Sequence, residues 1–319
     1  MTNEDLNKAL KGIGMEPALG KAKIIELDDT INFNCKRCGQ CCAGRSDIIV
    51  NPYDVYQIAK ELNITMQDVI MNYCSIHHGN NSGAPIVTLK EDERKLCPFL
   101  KFFSEEGKFG CSINNSKPGA CILHPIGVVR SIDTKTNTQE IHYIEVPSCS
   151  NHGTDTEVKV KDFIKPYLDN EKYHENGSRL LSIPLRYINT NKFLKGFIFK
   201  NKEEIKKSFS EDEIKKIDLF SEHFIKSAYR TYMSVLIATL YSFDTDKNFM
   251  DQIGKVEKDI KIKCLEIIAT FNRFGIDFSS NSLTEEDKQK LQEISDELQT
   301  NFEEYYTEII KGERENDKH

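Results

Sequence analysis

No proline falls beyond residue 184 of this 319-residue chain, although nine occur up to and including that position, so the last 135 residues are free of the main helix breaker. Long apolar runs are missing as well. The longest, Met233 to Tyr241, is interrupted by Ser234 and Thr239 and falls well short of the ~20 residues a membrane-spanning helix needs. An excess of basic charge is also absent: 43 basic against 50 acidic groups give a formal net charge of -7, which argues against a general nucleic-acid binder. Met1-Thr2-Asn3-Glu4-Asp5-Leu6 carries acids where a signal peptide carries basic residues, so the expectation is a cytoplasmic chain with no membrane partner.

Familiar cofactor and catalytic motifs are lacking. No G-x-G-x-x-G opens a helix. The stretch from Gly14 to Gly20-Lys21 separates its glycines by five residues instead of four, and Ala22 stands where a P-loop has Ser or Thr. The radical S-adenosylmethionine spacing C-x3-C-x2-C, H-E-x-x-H and Ser-His-Asp signatures do not occur either. Nothing in the sequence names a general base.

What the chain has in abundance is cysteine. Of its ten, Cys35, Cys38, Cys41, Cys42, Cys74, Cys97, Cys111, Cys121 and Cys149 fall within 115 residues, leaving Cys264 alone in the C-terminal half. In a reducing compartment such a cluster points to metal or redox chemistry rather than to disulfides.

The expected fold class is α+β: an irregular Cys-rich metal-binding module with short strands and helices over 1–200, then a mainly α-helical domain over 201–319. Asn51-Pro52 predicts a helix start with Val55, Ile58, Ala59 and Leu62 on its inner face, and a shorter helix follows Thr65. Strands are predicted at 86–89, 97–103, 109–113, 127–132 and 139–146, and a helix over 154–173 with Thr154-Asp155-Thr156-Glu157 as its capping box. Ser210-Glu211-Asp212-Glu213 predicts the start of a long helix through Val235 and Thr239. A second runs from about Phe249 to Phe274 with Gly275 as its cap, and a third follows Thr284-Glu285-Glu286-Asp287 until the tail frays from Gly312. Cys264 falls on the buried stripe of the second.

Asn34-Cys35-Lys36-Arg37-Cys38-Gly39-Gln40-Cys41-Cys42 places three thiols at i, i+3 and i+6 with a fourth adjacent. A loop of that spacing can turn three thiolates onto one inorganic core, with Gly39 permitting an unusual backbone angle, as bacterial ferredoxins do with C-x2-C-x2-C and a Cys-Pro step. Here the Cys-Pro is Cys97-Pro98. Cys35 and Cys38 would serve equally as one zinc knuckle, closed by two of Cys97, Cys111 and Cys121. Four cysteines in eight polar residues are not core hydrophobes.

Together with Cys97-Pro98-Phe99-Leu100, Gly110-Cys111-Ser112-Ile113 and Lys117-Pro118-Gly119-Ala120-Cys121-Ile122-Leu123-His124-Pro125, this pattern resembles the YkgJ-like C-x2-C-x2-C-C zinc- or iron-chelating family over about Asn34 to Pro125. The segment from Asp47 to Leu62 resembles that family's short strand and helix. Flagellin lysine N-methylases are distant relatives thought to hold a four-iron four-sulfur cluster. The resemblance thus implies an iron-sulfur site, and beyond it cluster-dependent protein lysine N-methyl transfer as one alternative. The chain departs from the family at Lys117, where the family has Arg, and at Ile122 and His124, where it has Arg and an aromatic.

The candidate ligands are Cys35, Cys38, Cys41, Cys42, Cys97, Cys111, Cys121 and Cys149. Eight thiols suit two four-coordinate sites, with Cys149 as a lone loop thiol the alternative. Cys74 reads as structural. His77 and His78, being adjacent, point different ways, and His124 reads as a hydrogen-bond donor to a cluster sulfur or as an aromatic filler. The functional expectation is one or two iron-sulfur clusters in a redox protein or cluster-assisted enzyme acting on a protein or small molecule. A zinc-stabilised interaction protein is the alternative.

Overall fold

A computed structural model describes Glu4, Leu6, Asn7, residues 21–78, 85–133, 138–146, 152–189, 227, 230–272 and 279–316. The fold is α+β, with short strands in the N-terminal half and helices in the C-terminal half. It divides into two compact units, Met1–Ser75 with Val87–Gly177 and Ile76–Ile86 with Ser178–His319.

In the first unit, β1 (Lys23–Ile25), β8 (Thr138–Glu145) and β7 (Ile126–Asp133) form an antiparallel sheet in that order, and β2 (Thr30–Phe33) pairs with β9 (His152–Lys159). Side chains alternate across these strands, so Ile25, Ile31, Phe33, Ile126 and Tyr143 point into one core, joined by Leu123, Val160, Ile164 and Tyr167. Burying each such side chain contributes about 1.5–3 kcal/mol.

The helix predicted over 154–173 is a correction. His152–Lys159 is strand β9, with Ile31 opposite Val158 and Asn32 opposite Glu157, and helix begins only at Val160. Thr154, Thr156 and Val158 are β-branched at every second position, and that alternation outweighs the Thr-x-x-Glu cap signal. The helical part then breaks into α4 (Val160–Phe163), α5 (Lys165–Leu168) and α6 (Glu171–Tyr187), the last passing from the first unit into the second.

Helix α1 (Pro52–Leu62) starts as its sequence dictates. Asn51 Oδ1 accepts from the Asp54 N–H and Asp54 Oδ2 from the Asn51 N–H, both at 3.0 Å, with Pro52 at the first helical position. Val55, Ile58 and Ala59 are buried and Leu62 is half-buried. The same device, Thr65 with Asp68, opens α2 (Met66–Tyr73). After β3 (Cys74–His78), strand β4 (Pro85–Leu89) carries the Ile48–Val50 segment through Val50 N–H to Val87 O and Leu89 N–H to Ile48 O, each 2.9 Å. The strand expected at 97–103 shortens to β5 (Leu100–Phe103), because Leu100 N–H closes a turn onto Cys97 O and Pro98 has no N–H for a ladder. It pairs with β6 (Lys108–Cys111), and α3 (Gly119–Leu123) follows.

The second unit is helical: α7 over 230–240, α8 (Phe249–Asn272) and α9 (Glu285–Asn316). Ile253, Val256, Ile260, Cys264, Leu265 and Ile268 make the buried stripe of α8, and Phe243 stacks on Phe249 at 4.3 Å. Thr284 Oγ1 accepts from the Asp287 N–H, and Asp287 Oδ2 accepts from the Thr284 N–H, so the predicted cap is present. Helix α9 runs on to Asn316 past Gly312, since one glycine costs only about 1 kcal/mol and no proline follows. The Ser210 capping box, the helix from it as far as 226, Gly275 and Cys149 lie outside the described residues. Among the described residues no helix is long and apolar enough to cross a membrane.

Candidate metal centre

Seven thiols line a single cavity of about 670 Å³ in the first unit: Cys35, Cys38, Cys41, Cys42, Cys97, Cys111 and Cys121. They come from four pieces of local structure: the segment holding Cys35 to Cys42, the turn at Cys97, the strand ending at Cys111 and the short helix carrying Cys121. Gly39 takes a left-handed conformation (φ 77°), and Cys42 N–H then bonds to Gly39 O at 2.9 Å, folding Gln40–Cys42 into a 3-10 turn. That turn brings Cys41 Sγ and Cys42 Sγ to 3.9 Å. Cys42 O accepts from Cys97 N–H at 2.8 Å and Lys95 O from Gly44 N–H at 2.8 Å, which ties the first motif to the Cys-Pro step. Cys111 stands opposite Leu100 at the base of the β5–β6 hairpin, and Cys121 sits in α3.

Arg37, between the first two cysteines, binds this hairpin. Its Nε donates to Phe109 O at 3.0 Å, its guanidinium pairs with Glu106, and it lies 5.4 Å from the Phe103 ring centroid. Gly110 is required beneath it: a Cβ there would come within 2.8 Å of both Arg37 Nη2 and Phe103 Cε2.

The cavity wall is apolar, from Phe33, Phe99, Phe103, Phe109 and Phe163, and it is also cationic, from Arg37, Arg45 and Lys117. Cys41 feels both a partner thiol and these cations. A hydrogen bond from Cys42, with Lys117 and Arg45 nearby, holds its pKa at about 6. Cys42 moves the opposite way, pushed up by giving that hydrogen bond and by burial. Burial also raises Cys97 and Cys111, and takes Cys121 to about 12. Burial alone disfavours a free thiolate, whereas the nearby cations favour it and a bound metal would neutralise it, which is the donor environment such groups require.

Among the described residues no three His, Cys, Asp or Glu side chains converge on one point as they would around a single ion. All nine described cysteines are free thiols.

Residues 34–150 match the family model described as "CxxCxxCC: Putative zinc- or iron-chelating domain". The match covers that stretch alone, less than half of the chain. No curated protein and no solved structure matches the chain. The CxxCxxCC domain makes this a metal-binding protein, and its description admits zinc or iron.

Seven of the eight candidate cysteines of the CxxCxxCC domain are thus brought to one cavity, and Cys149 lies outside the described residues. Cys74 is buried at the start of β3, away from the cavity lining, its thiol pushed up to about 12 by burial. His124 lines the cavity beside Ile122. The sequence reading missed the cationic wall and a buried pair behind it, Asp54 and His174. His174 Nδ1 lies 3.2 Å from Asp54 Oδ1, and both side chains are 4% exposed. Asp54 Oδ1 also accepts from Gly119 N–H at 2.9 Å, fastening the helix that carries Cys121 to the cap of α1. A signal for Asp54 was present in its capping position; none marked His174.

Proposed function

We propose that this protein holds an iron-sulfur cluster of the four-iron four-sulfur type, with ligands drawn from Cys35, Cys38, Cys41, Cys42, Cys97, Cys111 and Cys121. The observation that carries this reading is seven thiols around one cavity of about 670 Å³ with apolar and cationic walls. A tetrahedral zinc ion binds sulfur at about 2.3 Å, which sets ligand sulfurs about 3.8 Å apart, whereas a polynuclear core spreads its thiolates over a wider cavity. Positive side chains at the rim complement the negative charge of a thiolate-ligated cluster. When bound, the cluster would supply one-electron transfer or a Lewis-acidic iron. The chain's own part is to hold the thiolates, to exclude water with its phenylalanine wall and to leave room beside the core for a protein or small-molecule substrate. Such a centre goes with a reducing compartment, so the proposed location is the cytoplasm.

The second reading is a structural zinc site, favoured by the 3.9 Å between Cys41 and Cys42, the spacing of two thiolates on one zinc.

Metal analysis, acid-labile sulfide and an absorption spectrum on full-length protein purified without oxygen decide between them. Iron and sulfide in about equal amounts with broad visible absorption are expected, and Cys38→Ser should lose most of both. One zinc per chain and no visible band would replace the first reading by the second. Unchanged metal in Cys38→Ser would refute the ligand set.

A further inference from the structure

A second cavity, of about 570 Å³, adjoins the thiol-lined one and shares Asn114, Lys117, Ile122 and Pro166 with it. Its character is different. Where the first is walled by phenylalanine and sulfur, the second is walled by hydroxyls, amides and charge, among them Tyr53, Gln57, Asn115, Asn170 and His174.

Two features make it a built site. The first is His174, with 3% of its surface exposed, whose ring stacks on Tyr167 at 4.8 Å and meets Tyr53 edge-on at 4.9 Å. Asp54 behind it is held in place by the backbone N–H groups of Asn51 and Gly119. The ring is held by the two aromatics, and its Nδ1, 3.2 Å from Asp54 Oδ1, is buried with no hydrogen-bond partner among the described residues, a costly arrangement for a position that only fills space. The second is Lys117. It is half-buried, it is the charged side chain common to both cavities, and among the described residues no carboxylate pairs with it. By contrast Lys165, on the same wall, is matched by Asp169 at 2.8 Å. The remaining carboxylate there, Asp162, is exposed at the rim beside Lys161.

We infer that the second cavity is a binding site for a small oxyanion-bearing molecule, a carboxylate or a phosphate ester, anchored by the Lys117 ammonium with its polar body against Asn115, Asn170 and His174. Lys117 directs the bound oxyanion to the seam, so that one end of the ligand reaches the thiol-lined cavity. An amide-rich wall suits this, because Asn and Gln offer N–H donors to an oxyanion and carbonyls to neighbouring hydroxyls. The chemistry at the metal would then act on a molecule selected next door. This rests on the metal-centre reading only for what happens at the seam; the binding itself stands apart from it.

The test is calorimetric titration of the full-length, metal-loaded protein with two probes, succinate and inorganic phosphate, with metal content measured on every sample. One probe is expected to bind at one site per chain, and which one binds identifies the source of the oxyanion. Lys117→Gln should weaken it about tenfold or more, while Lys117→Arg keeps it. Because Lys117 also borders the thiols, Asn115→Asp is the second variant: it is exposed, it is not a thiol neighbour in sequence, and it places a negative charge on the wall. It should weaken binding several-fold with metal content unchanged. If neither probe binds the wild type, or if both Lys117→Gln and Asn115→Asp bind as the wild type does, the proposal is overturned. Binding that disappears only where metal is lost overturns it too, and leaves Lys117 as a counter-charge to the cluster.

Discussion

Cys41 sits in a 3-10 turn at the edge of a cavity, beside a second thiol at 3.9 Å and within the field of Lys117 and Arg45, whereas Cys264 lies midway along a 24-residue helix with none of its surface exposed. The two are the same side chain under opposite rules. Around Cys41 a partner thiol and positive charge draw the pKa down to about 6; around Cys264 burial alone drives it up. A cysteine becomes a ligand candidate when the backbone gives it neighbours of the same kind and charge of the opposite sign, and it becomes a packing residue when it inherits a place on an apolar stripe. Predictions that break or sharpen this contrast run from the buried support of the metal module to the helical unit.

The largest effect is expected at Asp54, which has 3% of its surface exposed and no thiol of its own. Asp54→Ala removes the N3 carboxylate of the α1 capping box, strands the Gly119 N–H in the interior and leaves His174 without its partner. Loss of a cap and of a buried acceptor together should cost about 2–4 kcal/mol. A thermal melt of the full chain should fall by several degrees, and bound metal should fall with it because Gly119 begins the helix carrying Cys121. A melting temperature equal to wild type would show that the node is not a support of the metal module.

Gly39→Ala is expected to be smaller. At φ 77° an L side chain is strained, and a Cβ would also sit 3.3 Å from Phe109 Cγ. The strain costs about 1–2 kcal/mol and falls on the turn between Cys38 and Cys41. Metal affinity should drop while the melting of metal-free protein changes little. An Asn at the same position, which tolerates this conformation better, should recover part of the loss.

How much of this was readable in the sequence depends on whether the cause is local. The caps at Asn51, Thr65 and Thr284 were legible because a few consecutive residues satisfy one another's backbone groups. So was the stripe of α8, and so was the grouping of thiols, since four of them share a nine-residue loop. Strand β9 was misread because its partner, β2, lies more than 100 residues earlier, and a Thr-x-x-Glu string says nothing about a distant edge waiting to be paired. The cationic wall and the Asp54–His174 pair were invisible for the same reason: Arg37, Arg45 and Lys117 come from three loops, and His174 reaches Asp54 across 120 positions. No spacing rule announces a contact that only the fold creates.

The smallest effect is expected where the contrast is sharpest. Cys264 follows Ile260 by four residues and precedes Ile268 by four, so all three fall on one face of α8, and each has 0% of its surface exposed. Its raised pKa keeps it a neutral thiol, which packs as a small apolar group and offers no thiolate to a metal. Cys264→Ala deletes one heavy atom from that contact and should cost about 1 kcal/mol, comparable with trimming a methyl from a core isoleucine. Metal content should be unchanged, and so should the absorption spectrum. Paired with Cys38→Ser, the variant separates the two environments directly: one substitution removes metal with little reason to disturb the helical unit, the other loosens the helical unit and leaves the metal in place. Loss of iron or zinc in Cys264→Ala would mean that the helical unit supplies a ligand, and the distinction between cavity thiols and stripe thiols would have to be abandoned.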